Sequence, residues 1–250
     1  MKLEVYRMKK TVSLLLLIAL SLFTSCTMEA APSSTSPSAL SISQSDSSFG
    51  PVQISVPYLS QEEVLPTGCE IVSAMMLLRF YGHPISLDEM LAHIPNQMLT
   101  QRDGVLYGPH PDQAFVGDPR TPNGYGCYPP VLCKALQEIL GDSFLVKNTT
   151  GISLQALTNR YLSAGVPILL WATIDMKPTA PGNRWIIEST GEEFVWLKNE
   201  HCLVLTGYDS DYYYLNDPYN GNGEIQVRKE LLQKRFDSMG KRSLVVQKLP

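Results

Sequence analysis

Residues 200–218 have the sequence EHCLVLTGYDSDYYYLNDP, in which two largely apolar runs flank a short polar turn at 209–211. This pattern predicts two antiparallel strands, at 202–208 and 212–216, that form a hairpin. His201 opens the first strand and Asp217 follows the second. Because the start of one hairpin strand lies beside the end of the other, we expect His201 and Asp217 to be neighbours.

The rest of the sequence places helices before most of the strands. Helical periodicity and capping residues predict five helices, at 69–81, 87–94, 129–140, 154–164 and 229–238. Apolar runs predict further strands, at 52–58, 166–174, 224–227 and 244–249. This order favours an α+β fold in which N-terminal helices pack on an antiparallel sheet. The intervening segment 95–128 is too long for a plain connection and predicts a functional or covering loop.

Cys69 is the candidate nucleophile, since it begins a predicted helix directly after a Thr-Gly pair. Unpaired N–H groups at a helix N-terminus stabilise a thiolate, so this position predicts a lowered thiol pKa. Gln61 lies eight residues upstream and would donate to an oxyanion together with the Cys69 backbone N–H. Three of the four histidines lie in predicted turns or loops, whereas His201 opens a strand. His201 is therefore the candidate base, with Asp217 to orient its ring.

Four segments carry a resemblance to a known family: VPYLSQ at 56–61, GCE at 68–70, EHCLVLTGYD at 200–209 and LNDP at 215–218. They resemble the papain-like cysteine peptidases, and in particular the branch related to the bacteriocin-leader peptidases, family 39 of the cysteine peptidases. The resemblance implies a papain-like fold and no cofactor.

The same resemblance assigns a role to each candidate residue. It implies that Gln61 lines an oxyanion hole, Cys69 attacks, His201 serves as base and then acid, and Asp217 orients His201. The 132 residues between Cys69 and His201 are many for this family, which indicates insertions around 96–127 and 173–198. Leader peptidases usually belong to ABC exporters, so cleavage after a double-glycine leader is not assumed here.

The N-terminal residues 1–25 have the pattern of a signal peptide. A basic start, from either Met1 or Met8, precedes an apolar run at 12–23 that is too short to span a bilayer as a helix. Residues 22–26, Leu-Phe-Thr-Ser-Cys, resemble a bacterial lipobox. The pattern predicts an exported protein anchored to the extracytoplasmic face of the membrane by a lipid on Cys26.

Two segments follow the predicted cleavage site. Residues 26–50 are rich in Ser, Thr and Pro with few large apolar side chains, which predicts a flexible linker. Residues 51–250 are then a single peptidase domain, expected to be a monomer. Beyond residue 25 the chain carries 16 basic and 23 acidic residues, for a net charge of −7. This balance argues against a nucleic-acid partner, since a phosphate-binding surface needs clustered basic residues.

Two questions about cysteine chemistry stay open in the sequence. Cys127 and Cys133 are close enough in sequence for a disulfide in an exported protein, or are two free thiols. Their spacing with a histidine does not match a zinc site, so no metal is expected. Glu70 either raises the thiol pKa of its neighbour Cys69 or caps the helix.

The sequence therefore predicts an exported, membrane-anchored cysteine peptidase that cleaves a peptide or amide bond through a Cys69 thioester. Its partner is a peptide or protein substrate. One alternative is a peptidoglycan endopeptidase or amidase of the same superfamily, since an anchored hydrolase faces the cell wall. The other is an inactive module of this fold that binds peptides.

Overall fold

The computed structural model describes residues 50–62 and 64–250. The predicted signal peptide, Cys26 and nearly all of the predicted linker lie outside these residues. Within the described part, none of the helices has the length and hydrophobicity needed to cross a membrane.

The described residues form five α-helices and thirteen β-strands. The helices are α1 (Cys69–Phe80), α2 (Leu87–Ala92), α3 (Pro129–Leu140), α4 (Leu154–Arg160) and α5 (Lys229–Ser238). The strands are β1 (Val52–Gln53), β2 (Asn96–Gln97), β3 (Thr100–Arg102), β4 (Val105–Gly108), β5 (Phe115–Val116), β6 (Phe144–Asn148), β7 (Ile168–Thr173), β8 (Ala180–Ile187), β9 (Glu193–Lys198), β10 (Glu200–Tyr208), β11 (Tyr212–Asp217), β12 (Gly223–Arg228) and β13 (Ser243–Lys248).

A seven-stranded antiparallel sheet is the centre of the domain. Its strand order is β12-β11-β10-β7-β13-β6, and β1 pairs with β10 at one end of that strand. Every residue of β7 and β10 is buried, as expected for central strands that are covered on both faces. Helix α1 packs against β10, α3 against β6 and α5 against β7. The predicted α+β class with helices on an antiparallel sheet is confirmed.

Helix α1 begins at Cys69 because the residues before it turn tightly. Gly68 precedes the helix, and a Cβ at this position would lie 2.6 Å from the Leu65 Cβ. Glycine therefore permits the close approach that sets the start of the helix. Residues 69–78 are all buried, and the Ser73 hydroxyl donates to the Cys202 carbonyl at 3.1 Å. This bond ties the helix that carries the candidate nucleophile to the strand that carries His201.

The predicted loop at 95–128 is wrong in part, because it contains four short strands. Of these, β3 and β4 join β8 and β9 in a second sheet of four strands, while β2 pairs with β5. Strands of two to four residues are too short to show an alternating pattern. Strand β4 also pairs in parallel with β8, whose residues are some 80 positions away. Such pairing depends on distant residues that local periodicity does not report.

Candidate active site

Cys69 lies in a cleft with a volume of about 180 Å³, where helix α1 and strand β10 both begin. The cleft is lined by Gln61, Pro66, Thr67, Cys69, Gly124, Tyr125, Ile174, Trp196, Asn199, Glu200, His201 and Tyr219. Three of the four predicted catalytic residues therefore line one cleft, and the fourth, Asp217, contacts His201. Tyr125 and Trp196 come from the two segments identified as insertions, which supply part of the cleft wall.

His201 and Asp217 form a buried pair. The His201 Nε2 lies 2.6 Å from the Asp217 Oδ1. An ionised carboxylate only accepts hydrogen bonds, so Nε2 carries the hydrogen and Nδ1 is the nitrogen left for other chemistry. Asn216 pairs with Val204 across the hairpin, which places Asp217 diagonal to His201 and within reach of a side-chain bond. The prediction that the two residues are neighbours is confirmed by this geometry.

Two further groups fix the Asp217 carboxylate. Its Oδ1 accepts from the Tyr219 backbone N–H at 3.0 Å, and its Oδ2 accepts from the Asn222 side-chain amide at 3.1 Å. Burial alone would raise the pKa of Asp217, but these donors and His201 hold it below the usual value. Asp217 is therefore ionised at neutral pH and holds the imidazole in one orientation.

The Cys69 thiol is hydrogen-bonded to Glu70 and not to His201. Its Sγ donates to the Glu70 Oε2 at 3.3 Å, and no hydrogen bond joins Cys69 to His201 among the described residues. Burial raises the pKa of Cys69 well above its ordinary value, and the nearby carboxyl groups of Glu70 and Glu200 raise it further. The predicted lowering of this pKa is wrong, because burial and two carboxyl groups outweigh the favourable helix N-terminus.

Glu70 and Glu200 form a pair of buried carboxyl groups next to the thiol. One ligand atom from each of Cys69, Glu70 and Glu200 lies within 4.8 Å of the other two. Burial raises the pKa of Glu70 to about 7, and burial together with Glu70 raises that of Glu200. Of the two roles left open for Glu70, the structure therefore supports the one that raises the thiol pKa.

Sequence reasoning missed the role of Glu200. An acidic residue directly before His201, at the start of a strand that is otherwise apolar, was the available signal. The group formed by Cys69, Glu70 and Glu200 also has ligand types that bind metal ions.

Gln61 connects the cleft loop to the strand that ends in Asp217. Its backbone N–H donates to the Pro218 carbonyl at 2.9 Å. Its side-chain amide donates to the Pro66 carbonyl at 3.0 Å and to the Leu65 carbonyl at 3.4 Å. The side chain thus lines the cleft with its donor group partly occupied by the loop that precedes Cys69.

Cys127 and Cys133 are separate free thiols in the structure. Cys127 is fully buried, whereas Cys133 lies on helix α3 and is partly exposed. The Cys127 backbone N–H donates to the Glu70 Oε1 at 2.8 Å, and its carbonyl accepts from the Trp171 indole at 3.1 Å. These bonds hold Cys127 against helix α1 and strand β7.

Gly126 allows Cys127 to pack closely against Glu70 of helix α1. A Cβ at position 126 would overlap the Glu70 Oε1 that accepts from Cys127. We expect Gly126→Ala to lower the free energy of unfolding by about 1–3 kcal/mol, as overpacking does. Gly151→Ala is the matched control, because Gly151 also has a positive φ but a Cβ added there would meet no other atom. Equal losses in urea unfolding for both variants would contradict the role of the overlap.

Comparisons with known proteins show the family of this chain. The model of the Peptidase_C39 like family matches residues 53–244. YvpB of Bacillus subtilis (strain 168), an uncharacterized protein, is 30% identical over 184 residues, which cover 74% of this chain and 70% of YvpB. The crystal structure of a Bacillus anthracis protein, assigned but not demonstrated as a C39-like peptidase, matches with a TM-score of 0.70 and 26% identity. That match covers 80% of this chain and 98% of the other. The chain belongs to the Peptidase_C39 like family.

Proposed function

We propose that this protein is a cysteine peptidase that hydrolyses a peptide or amide bond through a Cys69 thioester. The observation that carries the proposal is that Cys69 and His201 line one cleft, with His201 held by Asp217. A nucleophile, a base and a residue that orients the base are the groups that covalent acyl transfer requires. We also propose, from the sequence pattern at 22–26, that the protein is exported and anchored by a lipid on Cys26.

The thiol is neutral at rest, so deprotonation accompanies attack. The Cys69 Sγ leaves its bond to Glu70 and passes its proton to the His201 Nδ1 as it forms a bond to the substrate carbonyl carbon. The oxyanion accepts from the Cys69 backbone N–H and from the Gln61 amide, which gives up its 3.4 Å bond to the Leu65 carbonyl. His201 then protonates the leaving nitrogen as the C–N bond breaks, and a thioester remains on Cys69. Water, deprotonated by His201, cleaves the thioester to a carboxylic acid and restores the thiol.

One observation favours a second candidate, a module that binds peptides without cleaving them. The thiol donates to Glu70 rather than to His201, and its pKa is raised. A protein that had lost activity would keep such a neutral, buried thiol and would still offer the cleft to a ligand. The two candidates differ in whether bound peptide is turned over.

Turnover by the full-length chain tests the proposal. We expect hydrolysis of members of an internally quenched peptide library or of purified muropeptides, with no detectable turnover in Cys69→Ala. The matched control is Cys133→Ala, since Cys133 lies outside the cleft and is partly exposed. Mass spectrometry of a rapidly quenched reaction should find the acyl group on the Cys69 peptide.

The same experiment separates the candidates. Peptides that bind equally to the parent chain and to Cys69→Ala, with no turnover by either, would favour the binding module. Turnover of muropeptides but not of ordinary peptides would favour a cell-wall hydrolase.

A further inference from the structure

Glu200 has a buried carboxyl oxygen that no described donor satisfies. The residue is 7% exposed, and its Oε1 has no hydrogen-bond partner among the described residues. A buried carboxyl oxygen without a donor is costly, and native proteins rarely retain one without a reason. Because Glu200 lines the same cleft as Cys69, a donor on a bound ligand can reach this carboxyl group.

The rest of the cleft favours a positively charged donor. Tyr125, Trp196 and Tyr219 all line it, and the rings of Tyr125 and Trp196 pack edge to face with centroids 5.6 Å apart. Aromatic faces attract cations, most strongly where water is excluded. None of the twelve residues that line the cleft is Lys or Arg. The charge of Arg242, which lies outside the cleft, lowers the pKa of Glu200 but does not offset burial and Glu70, which raise it.

The position of Glu200 also fits a substrate side chain. One of its carboxyl oxygens lies within 4.8 Å of the Cys69 Sγ. A group bound to this oxygen therefore belongs to a residue next to the bond that is cleaved. Glu70 lies in the same cluster, and each of the two carboxyl groups disfavours ionisation of the other. A bound cation would favour the ionised form of Glu200.

We infer that the cleft contains a subsite for a primary ammonium group of the substrate, with Glu200 as its counter-charge and Tyr125, Trp196 and Tyr219 as its aromatic walls. This inference rests on the proposed function for its biological meaning. The ammonium group comes either from a lysine-like side chain or from the amino terminus of a peptide.

Thiol-directed reagents of different charge test the subsite without requiring hydrolysis. We would treat the full-length chain with 2-aminoethyl, ethyl and 2-sulfonatoethyl methanethiosulfonates, which are cationic, neutral and anionic. Labelling is quantified on the Cys69 peptide by mass spectrometry, so the other cysteines do not contribute. All three reagents react with the same thiolate, so the ratio of two labelling rates does not depend on the fraction of Cys69 that is ionised. The ratio therefore reports the charge around Cys69. We expect the cationic-to-neutral ratio to exceed that of a free cysteine peptide by about ten-fold, which corresponds to 1.4 kcal/mol.

Two variants assign the effect to Glu200. Glu200→Gln should reduce the ratio to that of the free peptide, whereas the exposed Glu192→Gln should leave it unchanged. A parent ratio equal to that of Glu200→Gln would overturn the inference. Resistance of Cys69 to all three reagents would overturn it too, because such a cleft admits no side chain of this size.

A second measurement uses only the parent chain, so it does not depend on how the variant folds. It compares how well different ligands protect Cys69 from labelling. N-acetyl-lysine methylamide should slow ethyl methanethiosulfonate labelling of Cys69 more than N-acetyl-norleucine methylamide does. Stronger protection by norleucine methylamide with a free amino group would assign the subsite to a peptide terminus. No difference among the three compounds would contradict an ammonium subsite. If peptides are hydrolysed without any preference for an ammonium group, the subsite fails while the proposed function stands.

Discussion

Replacing His201 with glutamine is expected to lower kcat/KM for any cleaved peptide by about 10⁴- to 10⁶-fold, the range found when one member of a catalytic triad is removed. Glutamine fills similar space and can still donate to Asp217, but it cannot accept the thiol proton. The Nδ1 of His201 is the nitrogen free to do so, because Nε2 is bonded to Asp217 at 2.6 Å. The measurement is steady-state hydrolysis by the full-length chain.

His83→Gln is the matched control for this prediction. His83 is exposed and its ring packs edge to face against Phe144, outside the cleft. The control should keep activity within about two-fold of the parent, as surface substitutions usually do. If His201→Gln retained more than about a tenth of the parent activity, His201 would not be the base. The buried Glu70, which already accepts a hydrogen bond from the thiol, would then be the next candidate.

Local sequence signals were sufficient to predict the helices and strands whose ends are marked by proline, glycine or turn residues. Helix α3 has the predicted bounds, Pro129–Leu140, because proline opens it and Gly141 ends it. The hairpin of β10 and β11 was predicted from its apolar runs and its turn. Its pairing places His201 and Asp217 together without information from any other part of the chain. The proximity of His201 and Asp217 could therefore be predicted from sequence.

The elements that depend on distant partners could not be predicted. Strands β8 and β9 lie in a segment treated as an insertion, and their sheet forms through β4, far away in the sequence. The fourth predicted helix is also shorter than expected. It ends at Arg160, and a separate 3-10 turn spans Leu162–Ala164.

The direction of the Cys69 pKa shift could not be predicted for a related reason. The helix N-terminus is a local feature that favours a thiolate, and it can be seen in the sequence. The opposing carboxyl group of Glu200 is 131 positions from Cys69 and approaches it only when β10 packs against α1. Burial of Cys69, at 6% exposure, is likewise a property of the folded domain. The sign of a pKa shift therefore required the three-dimensional arrangement.

The same carboxyl cluster is expected to make the domain more stable at pH 5 than at pH 8. Burial raises the pKa of Glu70 from 4.5 to about 7, so the folded state keeps a proton that the unfolded chain releases in this window. The stabilisation is fully present below pH 4.5, declines as the pH rises, and is lost above about pH 7. A shift of this size corresponds to a contribution on the order of 3 kcal/mol. Urea unfolding of the full-length chain at pH 5, 6, 7 and 8 measures it.

Glu70→Gln should remove most of this pH dependence, because the amide carries no titrating proton. The raised pKa of Glu200 leaves a residual slope of the same sign. Asp217 acts in the opposite direction, since its lowered pKa stabilises the folded state above about pH 4, below the window measured. Glu192→Gln, at an exposed position, should keep the parent slope. A Glu70→Gln slope equal to that of the parent would show that Glu70 is already ionised at neutral pH. The Cys69 thiol would then donate to a fully charged carboxylate. Breaking that hydrogen bond would oppose attack more than breaking a bond to a neutral carboxyl group does.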